Sequence, residues 1–125
     1  MLRKVYGVDL GTSSVKIYSL SKDKKYREKN MVAIRNKRQI VAVGNEAYEM
    51  YEKTPVNIHV DCPIQNGKIA NISTMEVGLY LMLKRIESYT PFGSLIYFSI
   101  PVDATAVEKR AYYTVANGRM LRTIR

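Results

Sequence analysis

The strongest constraint on this chain lies near its start. A nearly unbroken apolar run, Lys4-Val5-Tyr6-Gly7-Val8-Asp9-Leu10, is separated from a second, Val15-Lys16-Ile17-Tyr18-Ser19-Leu20, by only Gly11-Thr12-Ser13-Ser14. Apolar runs of this length read as strands buried in a sheet. A parallel crossover needs a dozen or more residues, so this short connection forces an antiparallel hairpin.

The remaining pattern extends that hairpin. A third strand is expected around Tyr26 to Ile34 and a fourth from Gln39 to Val43. Asn45 is placed to cap a short helix over Glu46 to Glu52, closed by Thr54-Pro55-Val56-Asn57. Extended pieces at Ile58 to Asp61 and Lys68 to Ala70 flank the turn Gln65-Asn66-Gly67. Ser73-Thr74-Met75-Glu76 reads as a capping box opening a helix that runs to about Ile86. That helix carries Val77, Leu79, Leu81, Met82 and Leu83, apolar on more than one face, so it is expected to be sandwiched. Ser94 to Ile100 reads as a buried strand ended by Pro101. Asp103 is expected to cap a last helix with an inward stripe of Ala104, Val107, Ala111 and Val115. Glu108, Lys109 and Arg110 fall on its wet side, Asn117-Gly118 ends it, and Met120 to Ile124 reads as one more strand. A meander followed by strand-helix-strand units implies an α/β fold: a mixed sheet with helices on its faces.

With 125 residues, one compact domain is expected. Twenty Lys and Arg against eleven Asp and Glu give a net charge of +9, which favours contact with phosphates. The densest basic runs, Lys22 to Lys29 and Arg35 to Arg38, fall where turns are expected and read as solvated hairpin tips. The tyrosines do not cluster with those runs, so nucleic acid is not an expected partner. One cysteine, Cys62, and one histidine, His59, exclude an internal disulfide and a His/Cys metal cluster. No apolar run approaches bilayer length, and no secretory leader is expected ahead of the first strand. A cytoplasmic address is expected by elimination.

The chemistry concentrates in Asp9-Leu10-Gly11-Thr12-Ser13-Ser14-Val15-Lys16. Gly11 lets backbone approach an anion closely. Thr12, Ser13 and Ser14 offer hydroxyl and amide donors in one bend, a nest for phosphate oxygens. Lys16 can add a point charge to the same phosphates. Asp9 suits a hydrated Mg²⁺, an ion that keeps most of its waters and takes few carboxylates. By itself, the string is a weak signal and reads first as a plain structural turn.

Gly7-Val8-Asp9-Leu10-Gly11-Thr12 is similar to the first phosphate loop of the actin, DnaK-type chaperone and sugar-kinase superfamily. Three further segments resemble MreB and Mbl in particular. They are Val41 to Ala47 with Glu49-Met50, Thr54 to Ile58 with Pro63 to Ala70, and Ile100 to Asp103 with Thr105 to Ala111. The resemblance runs through the chain in one register. It implies a ribonuclease H-like, actin-type sheet with a small α+β insert, in the truncated first domain of an actin-like ATPase. The main body would be about 1–30 and 68–125, and the small insert subdomain about 31–67.

It also implies ATP and Mg²⁺ as cofactors, with Gly11, Thr12, Ser13, Ser14 and Lys16 on the phosphates and Asp9 at the metal. Implied partners are homologous actin-like subunits and, through Phe92 in the loop Tyr89 to Gly93, an anionic membrane surface touched peripherally from the cytoplasm. Departures from the family pattern are Lys16 at a usually apolar position, Lys29 in place of a proline and Asp103 in place of a glycine. The catalytic glutamate, second phosphate loop and adenosine pocket of the family follow later, so no catalytic residue is assigned. Steady ATP hydrolysis by these residues alone is not expected. Two other readings are a non-enzymatic interaction module that binds an intact homologue and an adaptor of the PilM or FtsA type.

Overall fold

The computed structural model describes residues 4–53, 56–87 and 94–116. Strands β1 (Lys4–Leu10), β2 (Ser14–Ser19) and β3 (Lys24–Lys29) form the antiparallel meander expected. Strand β9 (Ser94–Phe98) joins β1 in parallel and completes a mixed sheet of order β3-β2-β1-β9. The alternation set up by the hairpin sends Tyr6, Val8, Leu10, Val15 and Ile17 into the core.

The expected third strand is in fact two. After β3 the chain leaves the main sheet at Asn30, and β4 (Val32–Arg35) pairs instead with β5 (Gln39–Val43) and β6 (Ile58–Asp61). The break is made by Asn30, whose main chain and side chain both bond back to the β1–β2 turn. Helix α1 (Asn45–Lys53) packs on this second sheet through Ala47, against Ala33 and Ala42. A two-residue hairpin, β7 (Ile64–Gln65) and β8 (Lys68–Ile69), turns through Asn66 and Gly67, both at positive φ.

Helix α2 (Ile72–Glu87) buries Met75, Leu79, Met82 and Leu83 completely. Each such side chain contributes about 1.5–3 kcal/mol of burial free energy. The sandwiching expected of α2 is present, since its core cluster includes sheet residues, Tyr112 and Val115 of α3 (Ala106–Ala116), and Val32 of β4. Gly78 admits Val32, whose Cγ2 lies 3.0 Å from where a Cβ would stand.

Three expected helix caps are not the caps used. Asn45 Oδ1 accepts from the Lys29 amide at 3.0 Å, and the first turn of α1 closes instead on the Gly44 carbonyl, which accepts from the Tyr48 amide. Asn71, not Ser73, caps α2, accepting from the Thr74 amide at 3.1 Å. Thr105 and Glu108 form the capping box of α3, with bonds of 3.1 and 2.9 Å, while Asp103 lies in the preceding turn. The later start also turns α3. Glu108, Ala111, Tyr112 and Val115 make its inner face, whereas Val107 is 76% exposed. The Tyr112 ring meets Phe98 edge-on at 5.9 Å. The expected features at Thr54-Pro55, Asn117-Gly118 and Met120 to Ile124 lie outside the described residues.

Candidate functional site

The β1–β2 turn is shaped by groups far along the chain. The Gly11 amide donates to the Ser14 carbonyl at 2.9 Å and closes the turn. A Cβ on Gly11 would stand 2.9 Å from that same oxygen, so the turn itself requires glycine. That is a nearer reason than room for an anion, and it commits the Gly11 amide. The Gly11 carbonyl accepts from Asn30 Nδ2 at 2.8 Å, and the Asn30 amide donates to the Ser13 carbonyl at 3.1 Å. Thr12 Oγ1 accepts from the Gly67 amide at 3.1 Å, tying the tip to the β7–β8 turn.

What the tip still presents is a set of donors. Among the described residues, no backbone bond engages the Thr12 or Ser13 amide. Both side chains are exposed, as are Asp9 and Lys16. Register places Lys16 between Asp9 on β1 and Arg27 on β3, so the three share one cross-strand row. Ser13 and Ser14 border a hollow of about 170 Å³ together with Arg27, Glu28, Lys29 and Asn45. Glu28 faces Arg85 in that neighbourhood, at 2.5 Å, and Arg85 also meets Glu46 at 2.8 Å. Burial opposes the Arg85 charge, but the two carboxylates outweigh it and hold its pKa above the ordinary value. Lys29 lies over the Tyr48 ring at 4.6 Å.

The structure thus brings Gly11, Thr12, Ser13, Ser14, Lys16 and Asp9 to one end of the main sheet. Its field reaches α3: burial first, then the Asp9 and Glu108 charges, push the Tyr112 phenol upward. Among the described residues there is no group of three or more His, Cys, Asp or Glu able to hold a metal by themselves. A lone exposed carboxylate such as Asp9 fits an ion that keeps its waters. Sequence reasoning missed Asn30, Gly67 and Arg27. Only Arg27 left a signal, because strand alternation from Lys16's neighbour would have placed it on the same face. Phe92 and its loop lie outside the described residues.

The MreB/Mbl protein family matches residues 3–120. The chain belongs to that family. It is 34% identical over 113 residues to the cell shape-determining protein Mbl of Bacillus cereus, covering 89% of this chain and 34% of that protein. To the cell shape-determining protein MreB of Escherichia coli K12 it is 32% identical over 138 aligned positions, covering 99% of this chain and 40% of that protein. Among solved structures, MreB5 of Spiroplasma citri bound to AMPPNP superposes with a TM-score of 0.80 at 27% identity, over 99% of this chain and 38% of that one. A MamK double helical filament superposes at 0.76 with 27% identity, over 98% and 39%. The fold is therefore of the actin type, and this MreB/Mbl member spans between a third and two fifths of its relatives' lengths. No helix among the described residues is long and apolar enough to cross a membrane.

Proposed function

We propose that this chain is the ATP-phosphate-binding part of an MreB-type, cell-shape-determining cytoskeletal protein. The observation that carries the reading is the hairpin tip, where the Thr12 and Ser13 amides and hydroxyls stand beside Lys16 and Asp9 on a turn fixed by Asn30 and Gly67. A turn already held in shape gives up little conformational entropy when it closes on an anion. Thr12, Ser13 and Ser14 would donate to phosphate oxygens, Gly11 keeps the approach narrow, and Lys16 adds charge. Magnesium, when bound, would neutralise phosphate charge, with Asp9 accepting from its water shell. MreB5 of Spiroplasma citri bound to ADP and to AMPPNP supports nucleotide as the ligand class.

In this reading residues 1–30 and 68–125 are the main body and 31–67 the small insert, in a cytoplasmic protein that can meet a membrane peripherally. Calorimetric titration with ATP tests it. Binding should weaken at least tenfold in Lys16→Ala, and in Asp9→Ala it should lose its dependence on Mg²⁺. Unaltered binding in both variants, or no binding at all, would refute it.

A second reading is a non-enzymatic module acting on an intact homologue, supported by the likeness to a MamK double helical filament. Under it, the chain would lower the sedimentable fraction of a full-length MreB even when it carries Lys16→Ala.

A further inference from the structure

The β7–β8 hairpin turns on two residues, Asn66 and Gly67, between the paired Gln65 and Lys68. Asparagine followed by glycine can react within its own chain. The backbone nitrogen of the glycine attacks the asparagine Cγ, ammonia leaves, and water opens the five-membered imide that results. Glycine favours the closure because no Cβ crowds the attacking nitrogen. The sequence holds two such pairs, and Asn117-Gly118 lies outside the described residues.

Three features of the fold leave Asn66 open to this chemistry. Both turn residues are exposed. Among the described residues no hydrogen bond engages the Asn66 carboxamide, so it can swing toward Gly67. The space where a Gly67 Cβ would stand is empty to 4 Å. One feature opposes it. The attacking nitrogen must lose its proton, and that N–H donates to Thr12 Oγ1 at 3.1 Å. A hydrogen-bonded amide gives up its proton only when the bond opens, which is why such amides exchange slowly. Asn57 is a natural comparison, exposed and also at positive φ, but followed by the β-branched Ile58.

We propose that Asn66 is a site of spontaneous deamidation whose rate the Thr12 hydroxyl governs. The bond formed joins Gly67 N to Asn66 Cγ, and the bond broken is Cγ–Nδ2. Ammonia carries off the proton lost from Gly67. Water then adds at either imide carbonyl and leaves aspartate or isoaspartate at position 66. Either product brings a carboxylate within one residue of the Thr12 contact. Isoaspartate also adds a backbone atom to a two-residue link, which shifts the Gln65–Lys68 register and draws the Gly67 amide away from Thr12. The site stands on the Thr12–Gly67 contact and is independent of the phosphate reading.

Ageing the purified chain at mildly alkaline pH, followed by tryptic mapping, tests it. The peptide of residues 54–68 contains both Asn57 and Asn66, and mass spectrometry with fragmentation shows which amide has become a carboxyl. The folded wild type should convert slowly at Asn66, the urea-unfolded chain faster, and Asn66→Gln not at all. Thr12→Val, which loses the acceptor, should convert several-fold faster, whereas Thr12→Ser should stay near the wild-type rate. Circular dichroism checks the folding of Thr12→Val, and Thr12→Ala serves if valine does not fold. Asn57 should stay unconverted in every folded variant. Equal rates in the wild type and Thr12→Val would overturn the proposal, as would a folded wild type that never converts. Matching acceleration at Asn57 would also overturn it, by tracing the effect to general loosening.

Discussion

Asn30 is 1% exposed, and its side-chain amide donates to the Gly11 carbonyl at 2.8 Å across nineteen positions of sequence. Strand β3 ends at this contact, and the same contact sets the hairpin tip. Asn30→Ala should destabilise the chain by about 1–3 kcal/mol, the usual cost of leaving a buried polar group unpaired. Asn30→Asp should do worse at pH 7, because a buried carboxylate would face the Gly11 carbonyl, and it should recover partly near pH 4. Urea unfolding at both pH values measures this, and equal losses for the two variants would count against the contact.

Gly44 and Gly67 both have positive φ, 66° and 76°, yet their surroundings differ. A Cβ on Gly44 would overlap the Glu28 carboxylate, whereas a Cβ on Gly67 meets nothing within 4 Å. Gly67→Ala should therefore cost only the left-handed backbone term, about 1–2 kcal/mol. Gly44→Ala should cost clearly more, because it also displaces Glu28 from Arg85. Chemical denaturation of the pair decides it.

Arg85 joins two carboxylates that are unequally exposed: Glu28 at 12% and Glu46 at 63%. Exposed ion pairs contribute about 0–1 kcal/mol. Glu46→Gln should therefore be close to silent, while Glu28→Gln should measurably lower the unfolding midpoint. Glu28 also accepts from the Asn45 amide at 3.0 Å, so its loss loosens α1 from β3. Amide exchange at Asn45 should rise in Glu28→Gln and stay unchanged in Glu46→Gln.

Glu108 has a pKa below its ordinary value, first because the Thr105 amide donates to it and then because Lys68 pairs with it at 3.3 Å. A depressed carboxylate stabilises the fold above the unfolded-state pKa and loses that contribution as pH falls through the folded one. Thermal melts of the wild-type chain should thus drop below about pH 4.5 more steeply than those of Glu108→Gln. Thr105→Ala should cost about 1 kcal/mol through the lost cap. Identical pH profiles for the wild type and Glu108→Gln would contradict this account.

Strand and helix content was legible wherever the signal is local. The four-residue link between β1 and β2, the α2 apolar pattern and the Asn66-Gly67 turn each fix their element through covalent reach, periodicity or backbone preference. The family resemblance was legible too, because its motifs keep one register along the chain. Helix caps were not: Asn45, Ser73 and Asp103 each have the right chemistry, and so do Asn71 and Thr105 nearby. Short-range propensity cannot rank such neighbours, since the choice depends on which side chain has a better partner elsewhere, as Asn45 has in Lys29.

By itself, the sequence determined the hairpin, the polar tip between its strands and the mixed sheet that the hairpin must enter. Tertiary structure alone decided what holds that tip, through Asn30 and Gly67, and which residues flank Lys16. It also decided that the chain leaves the main sheet at Asn30. The physical reason is range. Periodicity and turn chemistry act over a few residues, whereas the bonds from Asn30 to Gly11 and from Gly67 to Thr12 join residues nineteen and fifty-five positions apart.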